Sequence, residues 1–126
     1  MENVLKVWRP LCVLQFFVLL VIYTVLGLSR NPGSMVPMFN DLLMHMSGYI
    51  VAGISISFAK PTATYWQRAL FLLLYSIVIE ICQHFMPPRT FSVLDILANF
   101  SGIIIGLFCF AVLKKISPGW ALAFMR

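Results

Sequence analysis

Hydrophobic positions along this chain fall into four long runs, separated by short breaks of proline, glycine and charge. The first goes from Leu11 to Leu28, between Arg9-Pro10 and Ser29-Arg30-Asn31-Pro32-Gly33. The second extends from about Asp41 to Phe58, entered from the turn-rich stretch Asn31 to Pro37 and left at Lys60-Pro61. The third goes from about Arg68 to Phe85 and stops at Pro87-Pro88, where missing amide donors and ring sterics end a helix. The fourth goes from about Val93 to Leu113 and is closed by Lys114-Lys115. A helix of about 20 apolar residues, rising about 1.5 Å per residue, crosses a bilayer and satisfies its own backbone groups there. Spans over about 11–28, 41–58, 68–85 and 93–113 therefore predict an all-α membrane protein, a four-transmembrane-helix bundle in one domain over 1–126. The first run also has the look of a signal peptide, with Lys6 and Arg9 before it and small residues at Gly27-Leu28-Ser29; its length and the absence of an Ala-x-Ala pattern favour a retained helix.

Composition strengthens the membrane reading, because 61% of the 126 residues are apolar and only 10% are charged. A soluble domain has roughly a quarter of its residues charged and needs them to cover its exterior. The net charge of +5 does not point to nucleic acid, since the nine Lys and Arg are dispersed between apolar runs and build no basic patch. Cys12, Cys82 and Cys109 all lie inside apolar runs without paired spacing, which makes them packing residues rather than a disulfide framework or zinc site.

The placement of the basic residues orients the bundle. Lys6 and Arg9 precede the first span, Lys60 and Arg68 flank the second loop, and Lys114, Lys115 and Arg126 follow the last span; the first and third loops hold only Arg30 and Arg89. The positive-inside rule then predicts cytoplasmic N- and C-termini, with the tail from Trp120 to Arg126 at the interface.

Three spans have polar residues that lipid would penalise by several kcal/mol unless they were paired or wetted. Asp41 and His45, four apart, share a stripe with Gly48 and Ala52; Glu80, Gln83 and His84 share another; Asp95, Asn99, Gly102 and Gly106 share a third. Under the orientation above, all of these polar groups lie near the outer leaflet, and Arg89 of the third loop stands over them. Plainer roles remain open for some. Asp41 and Asp95 lie in first turns, where a carboxylate suits the helix dipole, Ser92 is placed to cap the last span, and His84 is close enough to its helix end to be interfacial. Glu80 is hardest to explain that way, being about five residues inside its span behind the apolar run Phe71 to Ile79. Gly102 and Gly106 form a small-xxx-small pattern suited to close helix packing. The first span offers only Gln15, Tyr23 and Thr24 as polar side chains and reads as packing.

The ordered set Asp41-x-x-x-His45, Glu80-x-x-Gln83, Arg89 and Asp95-x-x-x-Asn99-x-x-Gly102-x-x-x-Gly106 resembles the VanZ-like family of bacterial membrane proteins, over about Asp41 to Gly106. Members often have Lys after the first Asp, where this chain has Leu42, which puts any anion contact of that Lys in doubt here. The resemblance implies a multi-pass protein of the bacterial cytoplasmic membrane, in a family whose named member is linked to teicoplanin resistance.

Several functions fit these residues. In the first, an outward-facing pocket of Arg89, Asp41, Gln83, His84 and Asn99 binds an anionic membrane lipid or a lipid-linked cell-envelope precursor. A catalytic version uses Glu80 as general acid or base, His45 or His84 as its partner and Asp95 as orienter. Asp41, His45, Glu80 and Asp95 would also suit a divalent cation chemically, although the sequence assigns no metal and no cofactor. A second class is a non-catalytic scaffold or accessory subunit whose polar network, with Gly48, Gly102 and Gly106, fixes helix packing. An ion path is less well supported, because the inner halves of the spans contain no relay of ionisable groups.

Overall fold

The computed structural model describes residues 1–29, 38–87 and 90–126. Its helices are α1 (Glu2–Leu28), α2 (Met38–Ala59), α3 (Tyr65–His84), α4 (Val93–Ile116) and a single turn, α5 (Gly119–Leu122), followed by a 3-10 turn over Ala123–Met125. Among the described residues there is no strand, and α1 to α4 are each long and apolar enough to cross a membrane.

Local chemistry sets the ends of these helices. α1 starts well before the first apolar run and continues through Pro10, which removes one backbone donor and which a membrane helix tolerates. α3 begins three residues ahead of Arg68 because Thr64 and Gln67 make a capping box: the Thr64 Oγ1 accepts from the Gln67 N–H at 3.2 Å, and Gln67 Oε1 accepts from the Thr64 N–H at 2.9 Å. Ser92 caps α4, its Oγ accepting from the Asp95 N–H at 3.2 Å.

The closest packing in the bundle joins α2 to α4, which start at the same end and run parallel. Gly102 and Gly106 on α4 lie directly against the Met46 and Ile50 carbonyls of α2, and a Cβ at Gly53 would stand 3.0 Å from the Ile103 carbonyl oxygen. Backbone therefore meets backbone, with Ala52, Ile103, Leu107 and Leu72 filling the core beside it. Outward-facing positions are apolar as well, among them Val18, Val21, Leu74, Val78 and Val112, as a lipid solvent allows.

α1 is tied to the rest by side-chain hydrogen bonds. Ser55 donates to Gln15 Oε1 at 2.7 Å, the Tyr23 hydroxyl to the Gly48 carbonyl at 2.7 Å, and the Tyr75 hydroxyl to the Leu20 carbonyl at 3.0 Å, with Thr24 Oγ1 2.8 Å from that hydroxyl. At the opposite end of the bundle from Asp41 and Asp95, the Trp8 indole donates to the Phe124 carbonyl at 3.1 Å and packs edge-on against Phe124 and Phe58. Both termini thus meet at one end.

Arg68 departs from its reading as a loop charge. It is 4% exposed, donating from Nε to the Lys60 carbonyl at 3.1 Å and from Nη2 to the Pro61 carbonyl at 2.8 Å, with its guanidinium over the Tyr65 and Phe110 rings. Carbonyl oxygens and ring faces replace the water it gives up.

Candidate functional site

Parallel α2 and α4 enter the bundle from the same end with matching spacing, Asp41-x-x-x-His45 beside Asp95-x-x-x-Asn99. One helical turn separates the members of each pair, so the two acids lie at one level and His45 and Asn99 at the next. His45 Nδ1 is 3.1 Å from Asn99 Oδ1, and the Asn99 amide nitrogen donates to Ser76 Oγ of α3 at 2.8 Å. An amide oxygen only accepts, so Nδ1 donates to it, which leaves Nε2 as the ring nitrogen turned the other way. That nitrogen faces both carboxylates, 3.8 Å from Asp41 Oδ1 and 3.9 Å from Asp95 Oδ2. Asn99 is 2% exposed and Ser76 fully buried, so the ring is held from inside the bundle.

Glu80 is 1% exposed, and its Oε2 accepts from the Ser92 N–H at 3.1 Å. It thereby satisfies a backbone donor at the entry to α4 and links that entry to α3. Gln83 is also buried and donates to the Gly27 carbonyl of α1 at 2.8 Å. His84 is a correction to the inward-facing set: it is exposed and lies edge-on against Phe85. On a helix, Gln83 lies about 60° to one side of Glu80 and His84 about 40° to the other, and only the first of those directions points into the bundle. Arg89 lies outside the described residues.

A cavity of about 190 Å³ runs beside this network, with His45, Glu80, Gln83 and Asn99 among its polar walls. Leu26, Met44 and Ile79 line its apolar part; Leu26 is 60% and Met44 58% exposed, so the cavity opens between α1 and α2 on the apolar flank of the bundle. Gly48 lines it too, facing Tyr23 rather than α4: a Cβ there would meet the Tyr23 hydroxyl at 3.5 Å, an ordinary contact. Its packing is therefore looser than that of Gly102 and Gly106.

Sequence reasoning missed the phenols of Tyr23, Tyr49 and Tyr75 as cavity walls and Ser76 as the third member of the His45 relay. A signal for two of them was present, since Ser76 lies one turn before Glu80 and Tyr49 one turn after His45. The first span, read as packing alone, supplies Tyr23, Leu26 and Gly27 to the cavity wall.

Chemically, this end offers an oriented imidazole, two carboxylates beside it and a buried carboxyl at a helix entry. Such groups serve proton transfer, or they hold a cation. No curated protein and no solved structure matches the chain. The family model described as VanZ/LLP1 matches residues 7–114, reaching beyond the Asp41 to Gly106 stretch that carried the resemblance into α1 and the end of α4. With four membrane-length helices and that match over most of its length, the chain belongs to the VanZ/LLP1 family.

Proposed function

We propose that the protein binds or modifies an anionic lipid or lipid-linked cell-envelope precursor in the cavity between α1, α2 and α3. The observation that carries this reading is the cavity's two-part wall: an apolar opening at Leu26 and Met44, where a chain enters from the bilayer, and a polar interior at His45, Glu80 and Asn99, where a headgroup is met. The distribution of Lys and Arg supports cytoplasmic termini, which puts the cavity in the outer leaflet of a bacterial cytoplasmic membrane. In the catalytic form of the reading, Glu80 is the general acid or base, His45 its partner and Asp95 the group that orients the imidazole. Lipid mass spectrometry of the purified protein tests it. The expected result is an anionic lipid enriched over bulk membrane in the native protein and lost from Gly48→Leu, whose side chain fills the cavity. Equal lipid profiles for the two folded proteins would sink the reading.

A scaffold role is favoured by a different observation: Ser55 with Gln15, Tyr23 with Gly48, and Gln83 with Gly27 all bridge helices. Membrane hydrogen bonds of this kind average about 0.6 kcal/mol, enough for register but little for stability. The Glu80→Gln comparison in the Discussion separates the two readings.

A further inference from the structure

The geometry points to a divalent-cation site formed by Asp41, His45 and Asp95, suited to a first-row transition ion of the Mn²⁺ or Zn²⁺ class. One donor atom from each residue lies within 4.8 Å of the other two, and the three come from two parallel helices. Their proximity alone would prove little, but the imidazole is prepared for a metal. Asn99, itself held by the buried Ser76, accepts from Nδ1, which turns Nε2 toward the acids; metal-ligating histidines are oriented in this way by a partner on their other nitrogen.

Nε2 and two carboxylate oxygens face one space, and a cation placed there attracts all three. The 3.8 and 3.9 Å separations are longer than a direct hydrogen bond. An ion bound at about 2.1 Å from nitrogen and oxygen separates them by this much when they subtend about 130° at the metal. Glu80 is outside the ligand set, which by its donor spacing comprises Asp41, His45 and Asp95 among the described residues. All three ligands are partly exposed, which gives the ion an entry path and leaves coordination positions open. Imidazole in the set argues for a borderline ion over Mg²⁺ or Ca²⁺.

This deepens the reading of the cavity as a lipid site and rests on it for the ligand: an ion held by His45, which lines the cavity, puts positive charge beside its polar end, where phosphate or carboxylate oxygen is met. Metal binding is therefore measured without lipid, on chelator-stripped full-length protein in detergent titrated with Mn²⁺ by electron paramagnetic resonance and with Zn²⁺ by dialysis and elemental analysis. The expected result is one equivalent bound, with affinity about ten-fold or more weaker in Asp95→Asn and in Asp41→Asn, and within about two-fold of native in Glu2→Gln, which removes an exposed carboxylate at the start of α1. Saturating Mn²⁺ should also raise the thermal midpoint of the unmutated protein, a readout that does not depend on any variant folding. Absence of saturable binding, binding indifferent to both Asp substitutions, or an unmoved midpoint each overturns the site. Lipid retention without metal binding removes this proposal alone, and metal binding without lipid retention removes the lipid reading and leaves the metal site standing.

Discussion

His45 donates from Nδ1 to Oδ1 of Asn99 across 3.1 Å, and Asn99 passes the connection on to Ser76 of a third helix. One carboxamide therefore fixes an imidazole tautomer and joins α2, α3 and α4. Replacing it by Leu removes two hydrogen bonds, although Ser76 keeps its bond with Tyr49 and His45 is partly exposed. A single membrane hydrogen bond averages about 0.6 kcal/mol, so the loss of two together with the buried Asn99 anchor adds up to about 1 kcal/mol or more. Asn99→Leu should lower stability by about 1–2 kcal/mol, visible as a drop in thermal midpoint. Nitrogen-15 NMR should find His45 as the Nδ1–H tautomer in the native protein and a mixture in Asn99→Leu; an unchanged tautomer in the variant would deny Asn99 its orienting role.

The α2 and α4 interface makes a sharper prediction about glycine. A methyl group at Gly102 or Gly106 has nowhere to go, since the nearest atoms are the backbone carbonyls of Met46 and Ile50. Gly102→Ala and Gly106→Ala should each cost about 2 kcal/mol or more by pushing two helices apart. Gly48→Ala, whose Cβ makes only ordinary contact with Tyr23, should stay within about 0.5 kcal/mol of native. Thermal unfolding of the three variants in one detergent checks the ranking.

How much of this was legible in the chain follows from the physics each feature uses. Four apolar runs carry through to four helices because lipid demands internally bonded backbone, and hydropathy reports that demand directly. Asp41 with His45 and Asp95 with Asn99 could be paired from spacing, since four residues nearly complete a turn. Spacing did not say that α2 and α4 adjoin in parallel, which is what brings the two pairs together at His45. Nor could it decide between Gln83 and His84, which flank Glu80 on opposite sides and differ only in which side another helix occupies. From sequence Arg68 reads only as a basic residue flanking the second loop; its burial depends on two carbonyls and two rings that only the folded turn presents.

That buried guanidinium can be tested by exchange. Arg68 holds the Lys60 and Pro61 carbonyls with two separate nitrogens, a fork that a lysine ammonium cannot reproduce while stacking on Tyr65 and Phe110. Arg68→Lys retains the charge but should lose about 1–2 kcal/mol, and Arg68→Leu should lose more, because the Pro61 carbonyl loses its guanidinium donor and the Lys60 carbonyl keeps only the Ala63 N–H. Limited proteolysis should then cut the segment between α2 and α3 faster in both variants. Equal cleavage rates would show that the turn is held by other contacts.

Glu80 decides between a site and a scaffold. Its Oε2 accepts from the Ser92 N–H at 3.1 Å, and a glutamine in its place still offers a carbonyl oxygen to that donor. If the residue only fixes register, Glu80→Gln should preserve function, with any loss appearing as a lower thermal midpoint. If it is the acid or base of a reaction, or holds charge for a headgroup, Glu80→Gln should keep its midpoint within about 3 °C while lipid retention or turnover falls about ten-fold or more. Glu80→Leu supplies the calibration, because it removes the acceptor altogether and should cost about 1–3 kcal/mol whichever role is correct. The lipid-site reading expects the glutamine variant to resemble native in stability and the leucine variant in function; a glutamine variant that is functionally native would move the case to the scaffold.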